Sequence, residues 1–411
     1  MKRVAVIGAG VVGLSSATFL QRLGAKVTLI DGMPVGSGAS YGNAGMISVD
    51  STVPIAMPGM LRNVPKWLSD PTGPLFVSPA YFPKAFPWLM KWMSAGRMEN
   101  VRNASLALHA LHGGALVQYR ELLGNEDFND LIRTTGQIHI WDNAQESVSE
   151  RVARMLREEQ GIAVQPLTTE ELHHYVPELS NSIKRALLFP RNGNTVNPFR
   201  LMKTIARKFA DAGGTVLHQK VMRLFPKEGR FRVLTSNDDL DFDNVVITAG
   251  AWSKNVLAPM GVTIPLETER GYHIEIRQPN IKLGMPLLHK GRGFSASPME
   301  TGIRFAGTVE IAGLEAPPNE QRGEALLKHA KSLFPALNFD EPKMWMGFRP
   351  SLPDSVPIID EVTQYPGLFL ACGHGHTGLT AGAITGRLIS QIVTGEKPVI
   401  DPQPYRMSRF Q

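Results

Sequence analysis

The chain carries one cysteine, Cys372, in 411 residues. A lone thiol excludes an intramolecular disulfide framework and a cysteine-based metal cluster. It suits a reducing compartment such as the cytoplasm without establishing one. Lysine- and arginine-rich runs are also missing, so nothing points to nucleic acid as a partner. There is no long low-complexity tract, no obvious repeat and no second Gly-x-Gly-x-x-Gly in the middle of the chain. The basic excess is slight, 43 Lys and Arg against 37 Asp and Glu, for a net charge of +6. It favours anionic substrates or an anionic membrane surface, or is simply a basic surface. With 43% hydrophobic and 19% charged residues, the composition is that of an ordinary globular chain. The length makes two domains sharing an interface the natural expectation.

What the chain does have is concentrated in its first thirty-one residues. Residues 3–7 (RVAVI) read as a strand, Gly8-Ala-Gly-Val-Val-Gly13 as a glycine-rich turn, and residues 14–23 as a helix ended by Gly24. Lys26–Ile30 read as a second strand closed by Asp31. Gly8 permits the tight turn, Gly10 lets the backbone approach a pyrophosphate, and Gly13 lets the helix pack on the sheet. The helix N-terminus offers free N–H groups to the phosphates, and Asp31 offers acceptors to a ribose. The same stretch imitates a signal peptide, with Lys2-Arg3 before an apolar core. A signal peptide, however, needs neither the second strand nor the acid, and no persuasive cleavage site precedes Lys26.

Residues 32–50 form a Gly/Ser/Asn-rich loop able to present backbone N–H groups. Residues 53–98 are rich in proline and methionine, with Trp67, Trp88 and Trp92 and Phe76, Phe82 and Phe86. The stretch Phe82–Met93 is too short and too interrupted by Lys84 and Lys91 to span a bilayer. Two readings stay open: a cap packed inward over a pocket, or a shallow lipid-facing surface. Further on, residues 101–123 read as one long helix, 136–141 as a strand, 145–160 and 168–175 as helices. Pro198 starts another helix, ended at Gly213-Gly214. Residues 245–253 and 367–371 are buried strands, and a helix covers 379–393. Nucleotide-type β-turn-α units therefore open and close the chain. The expected fold is α/β: a Rossmann-like dinucleotide-binding domain plus a discontinuous α+β substrate domain with a mixed or antiparallel sheet. The expected division assigns 1–52, 185–255 and 345–411 to the first and 53–184 and 256–344 to the second.

Five motifs together resemble one family. They are the opening unit, Gly38-Ala-Ser-Tyr-Gly-Asn-Ala-Gly45, Thr248-Ala-Gly-Ala-Trp-Ser253, Gly347-Phe-Arg-Pro-Ser-Leu-Pro-Asp354 and Gly373-His-Gly-His-Thr-Gly-Leu379. The pattern is similar to the FAD-dependent D-amino acid oxidase superfamily, with a glutathione-reductase-type FAD domain, and the Asn-Ala-Gly and HGHTG elements look most like bacterial D-amino acid dehydrogenases. The resemblance implies that Gly8, Gly10, Gly13 and Asp31 hold FAD, with Val221 by the adenine. Ser40, Asn43, Ala44 and Gly45 would pass near the isoalloxazine edge, and Gly250 and Trp252 belong to the same cofactor set. Gly373, His374, Gly375, Thr377, Gly378 and Leu379 would lie at the flavin's pyrimidine side, where the next helix aims its dipole at N1 and C2=O. His374 and His376 read equally as hydrogen-bonding loop residues. A metal at Cys372, His374 and His376 is discounted because single glycines separate them and no fourth ligand is apparent.

The resemblance also implies that Arg349 pairs with a substrate carboxylate, for which a guanidinium fork is suited. The plain alternative is a structural arginine tied to Asp354. Arg270 and Tyr272 are secondary carboxylate candidates or ordinary packing residues, His376 is a further catalytic candidate, and the roles of Thr308 and Glu310 stay open. No cysteine stands in the Gly347–Asp354 signature, so non-covalent FAD is expected. The implied reaction oxidises a D-amino acid by hydride transfer from Cα to flavin N5, giving the 2-oxo acid after hydrolysis, with electrons passed to a quinone-type acceptor. The alternatives are a secondary-amine enzyme (D-proline or hydroxy-D-proline dehydrogenase, sarcosine or glycine oxidase) and an NAD(P)-using or non-redox flavoprotein. The single glycine fingerprint argues against an enzyme using FAD and NAD together. The expected location is cytoplasmic, with peripheral contact to the inner face of the membrane.

Overall fold

Strands of four to six residues build the first sheet, and four of them end at a glycine or an acid. In the computed structural model, which describes residues 1–60, 73, 75–339 and 342–410, that sheet has six strands. Their order is Thr215–His218, Lys26–Asp31, Arg3–Ile7, Asn244–Ile247, Leu368–Cys372, Ile358–Glu361. The first five run parallel and the last is antiparallel. Such a sheet must be covered on both faces. On one face lie helix Val11–Arg22, helix Gly378–Thr394 and helix Pro198–Asp211. On the other lie Leu224, Phe231, Val233 and Phe242 from a three-stranded antiparallel meander, Val221–Lys227, Arg230–Thr235 and Asp239–Phe242.

The helices Val11–Arg22 and Gly378–Thr394 approach closely because small residues face each other. A Cβ at Gly386 would lie 2.5 Å from the carbonyl carbon of Ser15, and one at Gly382 would lie 2.6 Å from Val11. Both helices start at the cavity, so this contact holds two N-termini side by side.

A nine-stranded mixed sheet forms the second layer system. Strands Lys343–Ser351, Glu267–Arg277, Gly302–Ile311 and Phe294–Met299 pair antiparallel in that order. The sheet continues through Leu287–His289, Gln137–Trp141, Arg185–Phe189 and Gln165–Leu167, and Leu75–Val77 adds to Gly302–Ile311 in parallel. Helix Glu320–Leu333 packs Leu326, Ala330 and Leu333 on it, against Ile274, Ile303 and Phe305.

Three stretches sit otherwise than the expected division. Strand Arg185–Phe189 and the whole of Lys343–Ser351 pair into the large sheet, the latter along nine residues of Glu267–Arg277 and its neighbours. Helices Met98–Gly113, Ala115–Leu123 and Asn125–Leu131 bury Leu108, Leu111, Leu122 and Phe128 in the cluster that also holds Val4, Leu14 and Leu29. The expected single helix over 101–123 is broken at Gly113-Gly114. Helix Thr169–Tyr175 begins as its sequence predicts, with Thr168 and Glu171 forming a capping box.

Trp67 lies outside the described residues. Helix Phe82–Ala95 turns Ala85, Trp88 and Trp92 inward, where they pack with Val77 and Ile311. Phe82, Phe86 and Met90, spaced by four residues, are exposed. Among the described residues no helix is long and apolar enough to cross a membrane.

Candidate functional site

One cavity of about 940 Å³ runs from the glycine-rich turn, between the two sheets, to the Gly373–Leu379 loop. Its first end is shaped by backbone. Gly8 has φ +109°, and a Cβ there would lie 2.5 Å from the Thr248 carbonyl oxygen. A Cβ at Gly13 would fall 1.8 Å from the Gly8 carbonyl oxygen. Gly13 is thus a packing residue that does not itself face the cavity. Gly10 faces it, beside the Ser40 hydroxyl, which accepts a hydrogen bond from Val11 N at 3.0 Å. Asp31 accepts from Ala9 N at 2.6 Å and from Met33 N at 2.8 Å, which fixes its carboxylate at the cavity wall. Val221 lines the same end, at the start of the meander.

The middle of the cavity is bounded by Asn43, Ala44, Gly250 and Trp252. Gly45 does not reach it. With φ +74° it turns the loop, and a Cβ there would lie 2.9 Å from the Thr195 carbonyl oxygen. The loop is pinned from the large sheet, in a way its sequence does not signal. Arg304 donates to the carbonyls of Tyr41 and Asn43 at 3.1 and 2.7 Å and pairs with Glu275 at 2.8 Å. His273 binds the Gly42 carbonyl through Nδ1 at 3.0 Å and stacks on Trp345.

At the far end, His374, Gly375, His376, Thr377, Gly378 and Leu379 all line the cavity, while Gly373 sits behind them against Leu352. His374 is buried and binds Thr385 Oγ1 at 2.9 Å. Burial, and the nearby His112, push it down to about 3, so it is neutral at physiological pH. Helix Gly378–Thr394 begins here and directs its partial positive charge into the cavity. Among the described residues no group of His, Cys, Asp or Glu is arranged to hold a metal. Burial pushes the Cys372 thiol up to about 12.

The wall formed by the large sheet is lined by Gly271, Thr308, Val309, Trp345, Gly347 and Phe348. Among the described residues Arg349 is the one charged side chain on it. Its Nη1 donates to the Thr308 carbonyl at 2.8 Å. The guanidinium lies flat over Gly271, where a Cβ would fall 2.2 Å from Cζ and Nη2. A glycine inside a strand often marks such a close approach. Asp354 does not hold Arg349; it pairs with Arg409 at 2.8 Å.

Glu269, the register partner of Arg349, is buried beside it. Burial raises the Glu269 carboxyl, but His376, the Arg349 charge and Ser351 outweigh this and leave it lowered. Its Oε2 is 2.6 Å from His376 Nε2. An ionised carboxylate only accepts, so His376 Nε2 carries a proton and donates it to Glu269.

Arg270 is not a substrate group. It is fully buried away from the cavity and donates to the carbonyls of Gly313, Ala316 and Pro317 at 2.8, 2.5 and 2.9 Å. Tyr272 belongs to the core behind the wall, with Ile274, Phe305 and Leu326, and its hydroxyl is committed there. It donates to Glu310 and accepts from Asn319 N at 3.0 Å. Glu310 thereby serves Tyr272 and Arg270 behind the wall.

The cavity fits a dinucleotide. Its glycines leave room that side chains would fill, two helix N-termini meet it side by side, and an acid stands where a ribose would be bound. The comparisons agree. The family described as FAD dependent oxidoreductase (DAO) matches residues 3–392. The chain is 36% identical to a D-amino-acid oxidase of Bradyrhizobium diazoefficiens, covering 100% of this chain and 99% of that protein. It is 28% identical to a D-amino acid dehydrogenase of Vibrio vulnificus over 97% of both. In fold it is similar to glycine oxidase from Geobacillus kaustophilus, with TM-score 0.74 and 23% identity over 100% of this chain and 99% of that one.

Proposed function

The chain belongs to the DAO family of FAD-dependent oxidoreductases, and from that premise we propose that it oxidises D-α-amino acids to 2-oxo acids. The observation that carries this reading is Arg349, among the described residues the single charge on this wall of the cavity. An α-carboxylate is the anion such a fork matches bidentately, and the aromatic side chains around it suit an uncharged substrate side chain. The names of the Bradyrhizobium and Vibrio relatives support the D-amino acid class.

The bound flavin supplies the hydride acceptor, N5, for the hydrogen on Cα. The protein's part is orientation and desolvation. Arg349 fixes the carboxylate, Gly271 and the Thr308 carbonyl fix Arg349, and Val309 and Phe348 exclude water around Cα. The N-terminus of helix Gly378–Thr394 favours negative charge on whatever lies against it. His376, its ring oriented by the Nε2 hydrogen bond to Glu269, stands at the cavity as a group for moving a substrate proton. FAD is held non-covalently.

We assign the electrons to a quinone-type acceptor reached at a membrane surface. The exposed stripe Phe82, Phe86 and Met90 supports this, with Lys84 and Lys91 on the same helix and a net charge of +6. A second reading, oxygen as acceptor, is favoured by the Bradyrhizobium relative's name. A dye-coupled screen of D-, L- and N-methyl amino acids, run beside a peroxide assay in air, tests the proposal. Turnover of D-amino acids with dye and little peroxide supports it; turnover confined to L- or N-methyl substrates overturns the substrate class. Stoichiometric peroxide, together with no binding to anionic liposomes, overturns the quinone assignment.

A further inference from the structure

Thr308 is the most unusual residue on the cavity wall. Strands Glu267–Arg277 and Gly302–Ile311 slip at this point. Arg270 pairs with Glu310 and Tyr272 pairs with Gly307, so Thr308 and Val309 stand opposite Gly271 alone. This is a β-bulge, with two residues facing one. Its first residue, Thr308, has φ +57°. Glycine is the ordinary occupant of that conformation; a β-branched residue there is an outlier. Strained backbone of this kind clusters where a site needs a particular group in a particular direction.

Two further observations say what the bulge aims. The Thr308 carbonyl receives Arg349 Nη1 at 2.8 Å, so the residue is bonded directly to the cation of the wall. Its hydroxyl Oγ1 is buried, with only 3% of the residue exposed, and it finds no hydrogen-bond partner among the described residues. Thr308 also lines the cavity. Buried hydroxyls are normally bonded, and an orphan beside a functional cation calls for a ligand. One residue therefore presents a carbonyl that orients the guanidinium and a hydroxyl left for something else.

We propose that Thr308 Oγ1 is the second anchor of the substrate carboxylate, donating its proton to an oxygen held at Arg349. This rests on the reading of Arg349 as the carboxylate clamp. Arg349 spends Nη1 on the Thr308 carbonyl, which reduces the donors it can turn toward a ligand. A hydroxyl on the same residue restores one. It also fixes the carboxylate plane, which a lone guanidinium leaves free to tilt. Serine in place of Thr308 keeps this donor; valine and glycine remove it. Glycine also relieves the backbone.

The test uses the FAD-loaded protein and propanoate, a carboxylate without an amine, with binding read from the flavin absorption spectrum. Thr308→Val and Thr308→Gly should each weaken propanoate binding about tenfold, the scale of a hydrogen bond to a charged group. Thr308→Ser should stay within about twofold of the parent protein by the same scale. With a D-amino acid the loss should appear in KM more than in kcat. Thr308→Gly separates the proposal from a purely conformational role, because it keeps the bulge geometry at ease. Parent-like propanoate binding by Thr308→Gly overturns the proposal, as does equal weakening by Ser and Gly. If the parent protein itself binds no propanoate and Arg349→Ala changes nothing, the clamp reading fails, and the inference fails with it.

Discussion

Replacing Gly271 with alanine should damage the site without damaging the fold. The added Cβ would lie 2.2 Å from Cζ and Nη2 of Arg349 and 2.7 Å from Nε. Carbon atoms in contact sit about 3.5 Å apart or more, so the guanidinium must move by about 1.3 Å. It can do so cheaply, being the end of a flexible side chain. The backbone need not follow, since Gly271 has no left-handed φ and pairs in register with Gly347 on the side of Arg349. Alanine in place of a strand glycine is favourable by roughly 0.5–1 kcal/mol. A misplacement of about 1 Å in a positioning group costs on the order of a hundredfold, or about 2.7 kcal/mol. Gly271→Ala should therefore lower kcat/KM for a D-amino acid about a hundredfold, while FAD content and Tm hold. Steady-state kinetics beside the flavin spectrum of the purified variant give both readings. Parent-like kcat/KM would show that the guanidinium's place does not matter to the reaction. Loss of FAD or a large fall in Tm would show that Gly271 serves packing.

Buried neutral histidines make the protein acid-sensitive. Burial first, with neighbouring charge or hydrogen bonds modifying it, pushes His112 and His273 down to about 4 and His374 to about 3. The unfolded chain takes up these protons near pH 6.5, so stability falls as pH drops below that, by up to about 1.4 kcal/mol per pH unit per histidine. Asp50 and Glu267, raised by burial, act in the opposite sense. Tm should hold from pH 8 to 7 and fall from about 6.5 to 5; a flat Tm across that range contradicts buried neutral imidazoles. The Cys372 thiol, pushed up to about 12 by burial, should resist an aromatic disulfide reagent at pH 8 until the protein is denatured; rapid native reaction would contradict its burial. Gly386→Ala would set a Cβ 2.5 Å from the Ser15 carbonyl carbon, and the rigid backbone there cannot yield, so about 1–3 kcal/mol of stability should be lost. A Tm unchanged by that variant would argue against tight packing of the two nucleotide-side helices.

The nucleotide end of the cavity was legible because its chemistry is local. Gly8, Gly10, Gly13 and Asp31 act within thirty-one residues, and each constraint follows from a turn, a close approach or a cap. The substrate end depends on register. Glu269 meets Arg349, and Gly271 lies under its guanidinium, only because two strands eighty residues apart pair in one alignment. The bulge at Thr308 leaves no mark in the sequence, since threonine is a poor occupant of the conformation it takes. Arg270 misled because its partners are carbonyls of a distant loop, and any residue type supplies a carbonyl. In helix Phe82–Ala95, four-residue spacing separates inward Ala85, Trp88 and Trp92 from outward Phe82, Phe86 and Met90. The inward face packs as a cap would, and the outward face is simply exposed.

The central claim is that a D-amino acid, clamped by Arg349, delivers a hydride within this cavity. Anaerobic mixing of the FAD-loaded protein with D- and L-enantiomers of one apolar amino acid tests it most directly. Loss of the oxidised flavin absorption with the D-enantiomer alone, slowed about a hundredfold or more in Arg349→Ala, is the expected result. Flavin that stays oxidised with the D-enantiomer, or reduction that Arg349→Ala leaves unchanged, would contradict it.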